Sequence, residues 1–351
     1  MRKIILFSSL FLLSLFLFAC SGEEDAKSKG KTKLIEASIE EGKFILPTNE
    51  GEYDPDGNTG IVILEINIQN KSKESIDIFP EQNMALYDDD DVQIDPKSII
   101  DSSLDIDIMM NTSVGGDKQK TFPVAFEVER DKVYDMSISP LSANPEHDTE
   151  EVTLEVDMNE YSETYDALNE PAEVLQAFIE TVYFAQENDD IDELVDLDID
   201  EQIDKARKGY VDFLEDATFT DVPGKVASKF YDDFIDALNE NGNVDVKLKG
   251  SSGEKATLEV HYSAFSAIDL GDMFRDYRKK YLDKSDSYDT DAADEHALSK
   301  LDDMFKNLKV KESRNPLEIN MSKEDGKWSF ESNYGDPIKE MRETFAEGRI
   351  F

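Results

Sequence analysis

Between Val62 and Met158 apolar side chains recur at every second position in a series of short runs, which points this half of the chain to extended structure. Val62, Leu64, Ile66 and Ile68 share one strand face, and Ile76-Asp77-Ile78 follows the polar break Asn70-Lys71-Ser72-Lys73. Met84 and Leu86 lead into Asp88 to Asp91, with Val92 and Ile94 beyond, so a hairpin with an acidic tip is expected. After the turn Gly115-Gly116-Asp117-Lys118 come Phe122, Val124, Phe126 and Val128, then Tyr134, Met136 and Ile138, then Val152, Leu154, Val156 and Met158. Six or more short strands with no helical stripe between them predict an all-β sandwich over residues 34–160.

The period changes beyond a linker at 161–170. Asn169-Glu170-Pro171 reads as a helix start. Val174, Leu175, Phe178, Ile179, Val182 and Tyr183 then form a stripe at helical spacing. A second stripe runs through Ile203, Ala206, Tyr210, Phe213 and Leu214, and a third from Val226 to Leu238, stopping at Asn241-Gly242. Period two returns in Val244–Leu248 and Ala256–Tyr262, joined by a turn at Gly250-Ser251-Ser252-Gly253. A helix is expected to end at Leu301–Leu308, a hairpin joins Leu317–Met321 to Trp328 and Phe330 across Glu324-Asp325-Gly326, and a last helix carries Ile338, Met341 and Phe345. Helices followed by hairpins of one sheet predict an α+β domain over 171–351.

The N-terminus carries an address. Met1-Arg2-Lys3 is basic and Ile4–Phe18 is apolar apart from serines. Such a run is shorter than the roughly 20 residues of a membrane span and has the form of a secretory signal peptide. Leu17-Phe18-Ala19-Cys20 resembles the lipobox of bacterial lipoproteins. The resemblance implies a signal peptide over 1–19, cleavage between Ala19 and Cys20, and a lipid anchor (diacylglycerol, with palmitate-type chains) on Cys20. Residues 20–33 would be a polar tether, and the body would stand on the outer face of the cytoplasmic membrane. Cys20 is the only cysteine of the 351 residues, so no disulfide can form within the chain.

Composition narrows the partners. There are 37 basic and 80 acidic residues, a net charge of −43, which disfavours nucleic acid because phosphate binding needs a basic face. The summed field favours cationic peptides, basic proteins or divalent ions at the cell surface. Two acidic loops suggest calcium: Asp54, Asp56 and Asn58 supply oxygens at alternate positions, and Asp88 and Asp90 stand in a run of four. The same residue types make turns with no ion bound, and no other cofactor is expected.

Three histidines are available for catalysis. His147 lies in a polar connector. His296 follows Asp294-Glu295 near an expected helix start, and His261 lies on the strand face opposite Val260 and Tyr262. No zinc spacing, phosphate loop or Gly-x-Ser-x-Gly elbow occurs. His261 with Tyr262 is the nearest approach to a catalytic pair.

The order of features at 34–160, with its Asn-Lys-Ser break, acidic hairpin, Gly115-Gly116 turn and Phe126-Glu127-Val128 strand, resembles an immunoglobulin-like domain of unknown function found in lipoproteins of Gram-positive bacteria. The stretch from Glu170-Pro171 to Tyr183-Phe184 resembles a second lipoprotein domain of unknown function that often follows it. Lys323-Glu324-Asp325-Gly326-Lys327-Trp328 is similar to the late hairpin of cystatin-like or nuclear-transport-factor-like folds. The expectation is a non-catalytic, lipid-anchored binding or scaffolding protein. The alternative is a solute-binding protein or an extracytoplasmic enzyme using a pocket of the α+β domain.

Overall fold

The computed structural model describes residues 28–51, 54, 57–108, 112–142, 150–188, 190–285, 288–332 and 335–349. Cys20, Asp56 and His147 lie outside the described residues. The fold is a mixture of antiparallel sheets and helices.

The first half holds β1 (Lys29–Lys31), β2 (Ile35–Ile45), β3 (Thr59–Asn70), β4 (Ile76–Ile78), the turn helix α1 (Pro80–Asn83), β5 (Met84–Tyr87) and β6 (Gln93–Ile94). Then come β7 (Ile99–Asp101), β8 (Ile106–Ile108), β9 (Thr112–Val114), β10 (Gln119–Glu129), β11 (Val133–Ile138), β12 (Leu141–Ser142) and β13 (Val152–Asp157). Two four-stranded sheets, ordered β1-β2-β3-β10 and β13-β11-β5-β6, bury their alternating faces in one core. Val62, Leu64, Ile66 and Ile68 meet Met136, Ile138 and Leu154 there, as their spacing predicts. A short third sheet, β12-β4-β9, completes this half.

Two elements of this half were not legible as strands. A β-bulge between Ile39 and Glu41 breaks the alternation of β2, so Ile35 and Ala37 before it and Phe44 after it reach the same core without a common period of two. The hairpin of β7 and β8 lies on the outer face of β2, β3 and β10, where Ile99, Leu104, Ile106 and Ile108 cover Ile45, Ile61, Ile63 and Ala125 in a second small core. β3 is therefore apolar on both faces along part of its length.

The expected boundaries also shift. Residues 29–31, assigned to the tether, form a strand paired with Glu36–Ser38, and a Cβ on Gly30 would stand 2.4 Å from Val152 Cγ1. Residues 161–170, assigned to a linker, are a continuous series of helical turns that includes α2 (Ser162–Asp166). Tyr165 and Leu168 are buried, the Phe44 N–H donates to Thr164 Oγ1 at 2.9 Å, and Phe44 meets Tyr165 edge-on at 5.4 Å. Neither stretch is a free spacer: the first pairs as a strand with β2, and the second buries Tyr165 and Leu168 against the first half.

The second half runs α3 (Glu170–Phe184), α4 (Ile191–Leu194), α5 (Ile199–Thr218), α6 (Gly224–Asn241), β14 (Asn243–Ser251), β15 (Lys255–Phe265), α7 (Ala267–Ser285), α8 (Thr290–Leu298), α9 (Leu301–Phe305), β16 (Val310–Glu312), β17 (Leu317–Glu324), β18 (Lys327–Glu331) and α10 (Pro337–Phe345). The sheet order β14-β15-β17-β18, with β16 on β15, is antiparallel throughout. All three predicted stripes are buried: Phe178 of α3, Tyr210 and Phe213 of α5, and Phe234 of α6 pack with Trp328, Phe330 and Phe345. The β17–β18 turn places Asp325 and Gly326 at φ 50° and 85°, the left-handed pair a two-residue hairpin needs. The first hairpin turn falls at 252–254, because Gly250 and Ser251 continue β14 past a bulge. α7 and α8 had no readable stripe; α7 buries only Leu270, Gly271 and Phe274.

Candidate functional site

The acidic turn between β5 and β6 is held by its own carboxylate. Asp88 Oδ1 accepts from the backbone N–H groups of Asp90 and Val92 at 3.0 and 2.9 Å, and Asp91 takes the left-handed conformation at φ 61°. Oxygens used in this way close a turn. In the other loop the Asp54 carbonyl accepts from the Gly57 N–H and the Tyr165 hydroxyl, both at 3.0 Å. The Asn58 amide donates to Glu129 and Asp131 at 3.2 and 3.1 Å. Both loops flank the β10–β11 turn, where Lys132 lies 4.0 Å from Asp88 and 2.8 Å from Glu129, but the described residues hold no cluster of three or more His, Asp, Glu or Cys spaced for a metal ion.

β15 separates His261 from Tyr262. The imidazole Nε2 stands 3.4 Å from Glu259 Oε2 on the half-exposed face, whereas Tyr262 is buried against Phe345 at 5.3 Å. Side chains of adjacent strand residues point to opposite faces, so the two share no site. His296, expected near a helix start, lies in the last turn of α8, stacked on Tyr281.

The place where residues distant in sequence converge is the junction of the two halves. Leu46 and Ser251 exchange backbone hydrogen bonds at 2.8 Å in both directions, and a Cβ on Gly250 would meet Thr48 Cγ2 at 2.6 Å. Next to this bridge opens a groove of about 540 Å³. Its apolar lining is Ile63, Leu104, Ile106, Ile108 and Pro123 from the first half; its far wall is the β14–β15 and β17–β18 turns. Asp101 braces the β7–β8 hairpin beside it, accepting from Thr48 N–H and Oγ1 at 2.8 Å and from Ser103. Burial works to raise the Asp101 carboxyl, but these hydrogen bonds outweigh it and hold the group below its usual range.

The groove's charge is unbalanced toward acid. Lys255 is held 2.6 Å from Asp105 and 3.5 Å from Glu331, and Lys323 lies 2.7 Å from Glu170. Lys43 also lines the groove, with Glu65, Asp107, Glu254 and Glu324. None of these four acids forms a salt bridge among the described residues. Burial, reinforced by Glu41 on the neighbouring strand, pushes the Glu65 carboxyl up against the opposing pull of Lys43. A half-buried carboxylate over an apolar floor is chemically suited to receive a cation. Sequence reasoning missed this site because its acids come from β3, β8 and two hairpin ends, with no local motif.

Over 332 residues the chain is 22% identical to the uncharacterized lipoprotein YcdA of Bacillus subtilis (strain 168), covering 90% of each protein. The crystal structure of YcdA from that strain superposes with a TM-score of 0.70 at 20% identity, covering 91% of this chain and 99% of that one, so the two share a fold. An uncharacterized beta-sandwich protein of Clostridium difficile 630 matches 37% of this chain and 91% of its own, at 13% identity and a TM-score of 0.22. The expected lipoprotein kinship is thus met along nearly the whole chain. Residues 161–346, more than half of the sequence, match the family described as "Domain of unknown function (DUF5105)", and the chain belongs to that family.

Proposed function

We propose that this protein is a lipid-anchored surface protein on the outer face of the cytoplasmic membrane, and that it binds a cationic ligand without catalysis in the groove between its halves. In this reading an immunoglobulin-like sandwich and a cystatin-like α+β unit together form the binding surface. Similarity to a lipoprotein over 90% of the chain supports the anchor, as does the sole cysteine at the end of the apolar leader. Two acyl chains would make attachment stable.

The observation that carries the binding role is the set of four acids, Glu65, Asp107, Glu254 and Glu324, without salt-bridge partners around an apolar floor. A lysine-rich peptide should bind the purified chain, with affinity falling as salt rises through a few tenths molar. Glu65→Gln should weaken that binding several-fold while raising the melting temperature at neutral pH. The sign follows from the raised carboxyl. Its ionisation disfavours the fold as pH rises above 4.5 through the folded value, so a neutral amide removes that cost. Calorimetric titration of the wild type and this variant decides it. Equal affinity in both, or preference for a neutral solute, would return the groove to the solute-binding or enzymatic alternative. For the anchor, Cys20→Ala should abolish acylation of the N-terminal peptide in mass spectra and leave an uncleaved precursor.

A further inference from the structure

A second groove, of about 460 Å³, lies between α7 and α8 and has the opposite character. It is lined by Tyr277, Lys280, Tyr281, Lys284, Ser285, His296 and Lys300. None of these is acidic, in a chain with 80 acidic residues among 351. On α7 the positions 277, 280, 281 and 284 follow the spacing i, i+3, i+4, i+7 and so form one face. The neighbouring acids Asp272, Asp276 and Asp283 are exposed and none of them lines the groove, although Asp276 and Asp283 flank Lys280 at i−4 and i+3.

The lysines are not neutralised by acids among the described residues. Lys280 lies over the Tyr277 ring at 5.5 Å, and neither it, Lys284 nor Lys300 makes an ion pair among the described residues. Nearby Arg278, outside the lining, is paired with Asp294 at 2.6 Å. Tyr281 and His296 stack with ring centroids 4.9 Å apart at 29°, both half-buried. Lys284 and His296 stand in the last turns of their helices, where the helix dipole favours a cation. The dipole explains their positions at helix ends. It does not explain two helix ends converging on one acid-free groove, with Lys280 and Lys300 added and an aromatic wall.

We infer that this groove binds an organic phosphate: lysines gather as point charges on the phosphate oxygens, and the stacked Tyr281–His296 pair packs against a ring-sized body. Lysine ammonium groups bind phosphate without needing a bidentate geometry, and the volume lies within the range of small-molecule sites, about 300–1,000 Å³. The phosphate belongs either to a soluble ester or to a lipid headgroup, and the two have the same contact chemistry. The site is separate from the acidic groove and goes beyond the binding role proposed there.

The test uses the three histidines as reporters. The purified full mature chain is titrated with a sugar phosphate at constant ionic strength while the imidazole signals are followed by NMR, with His296→Gln identifying the signal of interest. His296 should shift saturably, His261 should not, and Lys280→Gln with Lys284→Gln should weaken the effect about tenfold. If only phosphatidylglycerol vesicles, and no soluble ester, produce a shift that the same substitutions abolish, the source is a headgroup and the site stands. No saturable shift with either ligand would overturn the inference, as would one equally produced by chloride or unchanged by the lysine substitutions. Binding of cations at Glu65 is measured separately, so either result can fail alone.

Discussion

Asn70 is 1% exposed at the end of β3, and its side chain replaces the sheet hydrogen bonds that stop there. Its amide donates to the carbonyls of Glu74, Val114 and Gly115 at 2.8, 3.0 and 3.2 Å, and its Oδ1 accepts from the Ser72 N–H and hydroxyl. Asn70→Ala would remove these five hydrogen bonds from a buried position, at a cost of about 3 kcal/mol in urea unfolding. The sequence showed Asn70-Lys71-Ser72 only as a break, since two of the three acceptors lie more than 40 residues away. Tyr210 is the reverse case. Its hydroxyl is buried without a hydrogen-bond partner among the described residues, and burial pushes its pKa up. Tyr210→Phe keeps the ring contacts with Phe234 and Phe305 and should gain about 1 kcal/mol in the same measurement.

Among elements, legibility followed how locally each was specified. The β17–β18 hairpin was readable because Asp325-Gly326 is a two-residue signal for left-handed turn geometry. The helix start at Glu170-Pro171 was readable too, although Asn169 makes no capping bond to the backbone. α5 ends on a residue no local rule selects. Phe219 takes the left-handed position at φ 54°, where glycine is usual, and its side chain is 81% exposed. Phe219→Gly relieves that conformation and removes exposed apolar surface, so the melting temperature should rise by an amount equivalent to about 0.5 kcal/mol. The strand β2 failed the pattern test through its bulge. α7 failed it because a helix that buries three residues needs only a short stripe.

At the scale of the molecule, the apolar core runs without interruption from Ile35 of β2 through Tyr165 and Leu168 to Phe345 of α10. The Leu46–Ser251 bridge and the Lys255–Asp105 pair add polar ties at the junction. Scanning calorimetry of the full chain should therefore show one transition. Gly250→Val, which drives a branched side chain into Thr48 and Leu46, should split it into two while leaving far-ultraviolet dichroism near native. A wild-type chain with two well-separated transitions would show that the junction couples the halves only weakly.

The sequence by itself determined the alternating faces of the sheets, the three helical stripes and the late hairpin, because each is written in neighbouring residues through a period of two, a period of 3.6 or a turn dipeptide. Only the tertiary structure decided that residues 161–170 pack and do not link, and that His261 and Tyr262 face apart. It alone also gathered acids from β3, β8 and two turns beside one groove, and lysines from α7 and the α8–α9 turn around another. Those outcomes depend on which faces meet after the chain has buried its apolar surface, and burial is a property of the assembled elements, with no counterpart in local spacing.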